Sequence, residues 1–319
     1  MVSKKIFGYT CLALAASFWG AMLVVGKYTM DILPPLFVIW LRNLIAFCIM
    51  FAISFFIKEE RIKRKDILLM AWLGFLGYFM SNGALLLGTH LSTAQLGSLI
   101  VSTPPVFTVF LATWFLKEKL NLSKIISVVI ATLGIILVVG IDTGNMPDTY
   151  MLGAILVLIS SISFALYTIF VKGVQRSVIY ITAYSTGFGL LFFTPVMLLE
   201  YNDIKLEYLL DLEIILSILY LGVFATAVAF FLWNTGMQYV EAGVGSIFNI
   251  FNVIVGGILA WIFLKEKLTW NFITGSLLVL VAIIIMVKYN RDEEQQETVE
   301  ISVMNLEISS NNDEITRKI

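Results

Sequence analysis

The sequence predicts an all-α integral membrane protein of ten transmembrane helices, arranged as two five-helix repeats of opposite orientation. Three observations lead there. Of the 319 residues, 59% are hydrophobic and only 13% are charged, and the mean hydropathy is +0.93, whereas soluble domains carry about a quarter charged residues. Ten segments approach the ~20 mostly apolar residues that a membrane-crossing helix requires. One six-residue string also occurs twice in the chain, 148 positions apart.

The ten spans lie near 6–27, 35–57, 67–88, 92–116, 123–140, 150–171, 179–199, 212–234, 241–264 and 269–288. The first follows Lys4 and Lys5, as the apolar core of a signal peptide would. No A-x-A-like site ends it and similar segments recur down the chain, so it is read as a retained span. A basic loop from Lys58 to Lys65 separates the second and third spans, and Gly88-Thr89-His90-Leu91 forms a short external turn before the fourth. The fourth carries Pro104-Pro105 near its middle and ends on Lys117. Beyond Arg291 the chain turns polar and acidic, from Asp292 through Glu297. Such a stretch buries too little apolar surface to offset its ordering entropy, so 291–319 is expected to be a disordered cytoplasmic tail.

Charge sets the orientation. With the N-terminus inside, fourteen Lys and Arg fall on the cytoplasmic side and four, Lys27, Lys205, Lys265 and Lys267, on the other. Cytoplasmic loops are enriched in these residues, so both termini are expected in the cytoplasm and the protein in the plasma membrane. The net charge of −1 offers no footprint for nucleic acid. Cys11 and Cys48 lie in apolar runs outside any ligand spacing and read as small core residues, while His90 has no second histidine within helical reach. Neither a metal centre nor a cofactor is expected. No GxxxxGK[ST] loop, HExxH or intramembrane acid pair is present, so no catalytic residue is assigned. A membrane enzyme or a sensor remains the alternative class.

The duplication is the most specific feature. Phe115-Leu116-Lys117-Glu118-Lys119-Leu120 recurs as Phe263-Leu264-Lys265-Glu266-Lys267-Leu268. On the same register Gly88 meets Gly236, Ala94 meets Ala242, and Gly97-Ser98 meets Gly245-Ser246. Residues 1–140 and 149–290 are therefore read as two repeats. Each repeat holds five spans, an odd number, so the second must sit upside down relative to the first. This forces Lys265 and Lys267 to the side opposite Lys117 and Lys119. Inverted repeats recur in secondary transporters, because exchanging the conformations of two like halves turns an inward-open state outward.

With these features the chain resembles the EamA type of drug/metabolite transporter. The resemblance rests on the Leu-Lys-Glu-Lys-Leu helix ends, Phe18-Trp19-Gly20 with Lys27, Leu41-Arg42, and Ser163-Phe164-Ala165-Leu166-Tyr167 with Lys172. It covers about residues 6–290. It implies a ten-helix carrier with both termini cytoplasmic that moves small metabolites, often outward, and it does not fix the substrate.

Polar side chains within the membrane are costly unless they face the bundle interior or an aqueous cavity. Arg42 is the one formally charged residue well inside a span. It either binds an anionic substrate group or serves as a structural Arg that snorkels or bonds helix carbonyls. Proline lacks an N–H and clashes with the carbonyl four residues back, so Pro104 either frees carbonyls near Ile100 and Val101 for a substrate or only kinks its span. Asn252 occupies the equivalent place in the ninth span, where Ser246, Asn249 and Asn252 share one helical face. That stripe either lines a cavity or bonds neighbouring helices. Ser98, the repeat partner of Ser246, joins the candidates, as do Tyr78 and Asn82 in the third span. Trp19, Tyr167 and Trp233 add rings able to stack on an apolar group, although Trp233, near a span end, best fits an interfacial belt. This inventory suits an amino acid or a related metabolite with polar and apolar parts. The middle of each span lacks Asp and Glu, which argues for facilitated diffusion or exchange rather than a carboxylate proton relay.

Overall fold

Hydrocarbon offers backbone groups no water, so a spanning chain must satisfy its own N–H and C=O groups, and helices do this within one segment. The computed structural model describes residues 2–57, 63–91, 103–139, 149–174, 176–263, 270–271, 273–278 and 280–289. Among the described residues the regular structure is helical and contains no strand. Ala94, Gly97, Ser98, Ile100, Val101, the second copy of the duplicated string after Phe263, and the tail lie outside the described residues.

Helix α1 (Val2–Met30) is followed by α2 (Pro35–Ser54), and α3 (Arg64–Leu73) continues through a first π-helical stretch (Gly74–Met80) into α4 (Ser81–Leu91). Then come α5 (Pro104–Phe115), α6 (Leu122–Val139), α7 (Tyr150–Lys172) and α8 (Val178–Met197). Helix α9 (Leu212–Leu219) continues through a second π-helical stretch (Tyr220–Val228) into α10 (Ala229–Met237). Helix α11 (Ala242–Ser246) passes through a 3₁₀ turn (Ile247–Ile250) into α12 (Phe251–Phe263), and α13 (Ile273–Tyr289) ends the described chain. Among the described residues, seven helices are long and apolar enough to cross a membrane. Three shorter apolar helices, Pro104–Phe115, Leu122–Gly134 and Ile273–Tyr289, accompany them. The protein is a multi-pass membrane protein.

Helix starts follow local chemistry. Pro34-Pro35 opens α2, where a missing N–H costs nothing, and the Leu36 and Phe37 N–H groups donate to Glu200 Oε2 at 2.8 and 3.3 Å. Asp211 caps α9 by accepting from the Glu213 N–H at 2.9 Å. Pro104 stands at the first turn of α5, and the carbonyls it was expected to free lie outside the described residues. His90, expected in a turn, belongs to the last turn of α4, because the helix runs on past Gly88.

The packing is reciprocal. Helix α1 packs on α10 and the second π stretch, while α7 packs on α4 and the first. Helix α2 lies on the second π stretch, α8 on the first, and α2 and α8 on each other. Individual contacts repeat as well. A Cβ on Gly88 would stand 2.8 Å from the Gly153 carbonyl, and one on Gly236 would stand 2.8 Å from the Gly8 carbonyl. The Tyr28 hydroxyl donates to Glu213 at 2.8 Å, and Arg176, 148 positions after Tyr28, donates to Asp66 at 2.7 Å.

Large apolar side chains cover the outside, among them Phe56, Trp114, Leu199 and Trp270. In water such a surface would drive association, and in a bilayer it is simply solvated. Two expectations are corrected here. Cys48 is exposed on this outer surface rather than packed in the core, whereas Cys11 is buried. Trp233 is fully buried rather than interfacial, because α10 continues beyond it to Met237 and turns it onto Trp19 and Phe164, with ring centroids 5.2 and 5.5 Å apart.

Gly74 tests the close approach of α8 to the first π stretch. A Cβ there would stand 2.5 Å from the Ser185 carbonyl oxygen and 3.0 Å from the Gly189 nitrogen, both backbone atoms. Gly74→Ala is expected to lose ~1–3 kcal/mol of stability through overpacking. Gly26, with nothing within 4 Å of a Cβ, should accept alanine neutrally or with a slight gain. Apparent unfolding temperatures of both variants in one detergent check this.

Candidate substrate site

The site is built on the two π-helical stretches. A π stretch shifts the backbone hydrogen-bond register, which turns carbonyls toward side chains and favours such segments at functional sites. In the first, the Asn82 amide nitrogen donates to the Gly77 and Tyr78 carbonyls at 3.0 and 3.1 Å. This anchors the amide and leaves its oxygen to accept from Arg42 Nη2 at 3.0 Å. In the second, the Ala225 carbonyl accepts the Trp19 indole N–H at 3.0 Å. Tyr167, 148 positions after Trp19, lies on Gly77, which is 148 positions before Ala225. A Cβ on Gly77 would collide with that ring.

Between these elements lies a cavity of about 70 Å³. Trp19 and Met22 of α1, Arg42 of α2, Gly77 of the first π stretch, and Ser81, Asn82 and Leu85 of α4 line it. Pro104 of α5, Ser160, Ser161 and Phe164 of α7, Phe230 of α10, Asn249 of the 3₁₀ turn and Asn252 of α12 complete the wall. The space is well below the ~300–1,000 Å³ of a typical small-molecule site, so a metabolite enters only if the helices part.

Arg42 dominates the electrostatics of this wall. Its side chain is buried, and its other terminal nitrogen, Nη1, lies 2.9 Å from Met22 Sδ. Its Nε is buried with no hydrogen-bond partner. The described lining contains no Asp or Glu, so the guanidinium is held by a neutral amide and a thioether and its charge is not cancelled locally. The Asn252 side-chain oxygen is likewise buried without a partner. Trp19, Phe164 and Phe230 supply an aromatic flank, with Trp19 meeting the other two edge to face at 5.5 and 5.2 Å.

Six of the residues expected from sequence meet at this cavity: Trp19, Arg42, Asn82, Pro104, Asn249 and Asn252. Tyr78 and Tyr167 do not line it. They are fully buried behind it, where Tyr78 stacks on Phe230 at 4.2 Å and Tyr167 meets the same ring edge to face at 5.7 Å. The Tyr167 hydroxyl donates to Asn234 Oδ1 at 2.8 Å, and the Asn234 amide donates to Thr182 Oγ1 at 3.1 Å. Ser246 lies a turn beyond the cavity, its hydroxyl bonded to the Gly243 carbonyl at 2.8 Å. The helical stripe expected from Ser246 to Asn252 is interrupted by the 3₁₀ turn, and its outer end is packed rather than open. Ser160, Ser161 and Phe230 escaped sequence reasoning. The Ser-Ser pair, polar in an apolar run, was the available signal for the first two.

The profile of the EamA-like transporter family matches residues 6–140 and again 151–288. The chain belongs to the EamA-like transporter family. Relatives of this EamA-like protein include the uncharacterized transporter YetK of Bacillus subtilis, 28% identical over 90% of this chain and 88% of that one. An uncharacterized transporter of Archaeoglobus fulgidus is 31% identical over 87% of this chain and 97% of its own length. A protein of Escherichia coli described as a probable amino-acid metabolite efflux pump is 25% identical over 84% and 91%. A solved crystal structure superposes with a TM-score of 0.73 at 15% identity, covering 92% of this chain and 99% of that one, and so shares the fold. Membership makes the protein a membrane transporter of small molecules rather than an enzyme.

The polar network behind the cavity is open to a direct test. Tyr167→Phe removes the donor to Asn234 and leaves a buried amide oxygen short of a partner. A loss of ~1–3 kcal/mol is expected, the penalty of an unsatisfied buried group. Thermal unfolding of the purified variant in detergent measures it, and Thr182→Val should give a loss of similar size.

Proposed function

We propose that this EamA-like transporter is an alternating-access carrier that exports a small metabolite bearing a carboxylate, an amino acid or a close derivative, across the plasma membrane. The observation that carries this reading is Arg42, buried in the cavity wall with no carboxylate among the described lining residues. Holding an uncompensated cation in a membrane protein is expensive, and an anionic substrate group is the partner such a site lacks. The aromatic flank of Trp19, Phe164 and Phe230 suits an apolar substrate body, and Asn249 and Asn252 offer amides to its polar atoms. The description of the Escherichia coli relative as a probable amino-acid metabolite efflux pump supports the substrate class.

Ten spans in two inverted halves, 1–140 and 149–290, fit this reading. Seven long and three shorter apolar helices among the described residues are compatible with that number, and the reciprocal packing supports like halves. Both termini are cytoplasmic in this arrangement. Transport runs as facilitated diffusion or exchange, since the described cavity wall offers no carboxylate to carry a proton.

Proteoliposomes loaded with radiolabelled amino acids and their des-amino acids test the proposal. Saturable exchange of at least one carboxylate compound is expected. Arg42→Gln should weaken its apparent affinity by about 10–100-fold, the range for losing a hydrogen bond to a charged group. Transport that Arg42→Gln leaves untouched, or that an imposed pH gradient drives in the absence of exchange, would count against it.

A further inference from the structure

The first copy of the duplicated Leu-Lys-Glu-Lys-Leu string is not among the described residues that line the cavity, yet it makes a specific contact between the two repeats. Helix α5 stops at Phe115, and Lys117 adopts a left-handed conformation with φ 56°. The Leu116 and Glu118 N–H groups both turn back to the Ala112 carbonyl, at 2.9 and 3.3 Å, in the manner of a Schellman ending. This sharp turn aims the Glu118 side chain across the bundle. Its Oε1 accepts the Ala242 N–H at 2.7 Å and its Oε2 accepts the Gly243 N–H at 3.1 Å, at the start of α11.

Neighbouring groups brace the same point. Lys124 Nζ pairs with Glu241 Oε2 at 2.6 Å and donates to the Lys119 carbonyl at 2.7 Å. Lys172 Nζ donates to the Val240 carbonyl. Beneath this polar layer Ala112, Ile169 and Ala242 form a buried apolar plug, and Gly243 faces Val109, with a Cβ there 3.4 Å from Val109 Cγ2. Helix α5 starts at the cavity with Pro104 and ends at this point. The α11 segment starts at this point and leads on to the cavity at Asn249 and Asn252. The elements that wall the cavity are therefore clamped together at one membrane end.

We propose that Glu118 is the residue that holds the substrate pathway shut at this end, its carboxylate locking α5 of one half to α11 of the other. The proposal rests on the carrier reading above. Opening the cavity toward this end requires both of its hydrogen bonds to break and the plug to separate. The pairs Tyr28–Glu213 and Arg176–Asp66 stand at nearly equivalent positions, 148 and 147 residues apart, and are separate from this clamp, whose repeat counterpart at Glu266 lies outside the described residues.

The test needs no substrate. In full-length protein with Cys11→Ala and Cys48→Ala, a reporter Ser160→Cys in the cavity wall is labelled with a membrane-impermeant maleimide, in vesicles of either sidedness. Glu118→Gln should raise the labelling rate from the Glu118 face by about tenfold, the population shift that follows loss of a charge-assisted hydrogen bond. Arg176→Gln, which breaks an ion pair outside the clamp, should leave the rate unchanged. If Glu118→Gln fails to insert, Glu118→Asp, one methylene shorter, provides the same readout. An unchanged rate in the Glu118 variant, or an equal rise in Arg176→Gln, overturns the proposal while leaving the carrier reading intact. Labelling from neither face in any variant removes the central site and the proposal with it.

Discussion

Within hydrocarbon every backbone polar group must find its partner inside the protein, and that constraint organises this molecule. The two π-helical stretches are where it shows most clearly. Each shifts the backbone register in a long helix, and each is answered by a side chain: Asn82 at the Gly77 and Tyr78 carbonyls, Trp19 at the Ala225 carbonyl. These bonds hold an amide and an indole at fixed angles beside the cavity.

The parallel cost of a buried charge gives Arg42 its meaning. The buried Lys124 and the half-buried Arg176 are each balanced by a carboxylate, Glu241 and Asp66. Arg42 receives only an amide oxygen and a thioether, with Nε left over. Breaking or omitting one partner of a buried ion pair is strongly destabilising, and in the proposed function a substrate carboxylate completes this one. On the reading proposed above, stability and transport draw on the same residue. The cavity of about 70 Å³ adds that completion is coupled to movement, because no metabolite fits before the helices part.

Movement in turn depends on which contacts are soft. The glycine crossings at Gly74, Gly88 and Gly236 bring backbones into direct contact and pack two helices as a unit. The clamp at Glu118 is of another kind: a few hydrogen bonds and one ion pair over a small apolar plug. Its bonds can be exchanged for water at a cost of about 1.5–3 kcal/mol, the range for hydrogen bonds to a charged group, whereas a backbone crossing has no such substitute. All three crossings and the clamp join the two repeats, so a motion that opens the cavity would pivot on the tight crossings and part the exchangeable contacts.

How much of this was legible in the sequence follows from which physics is local. The apolar runs, their short connections, the basic loops and the 148-residue register are properties of neighbouring letters, and they determined the membrane class, the family and the repeat. They also picked out Trp19, Arg42, Asn82, Pro104, Asn249 and Asn252, because a polar-tipped or helix-breaking residue inside an apolar run stands out wherever its helix lies. The tertiary structure decided direction. It turned Tyr78, Tyr167 and Trp233 into the packing behind the cavity, drew Ser160, Ser161 and Phe230 to its wall, and packed Ser246 a turn away from it. Helical phase is the physical reason. A π stretch or a 3₁₀ turn rotates every later side chain relative to a regular helix, and both π stretches and the 3₁₀ turn Ile247–Ile250 lie beside the cavity or next to it.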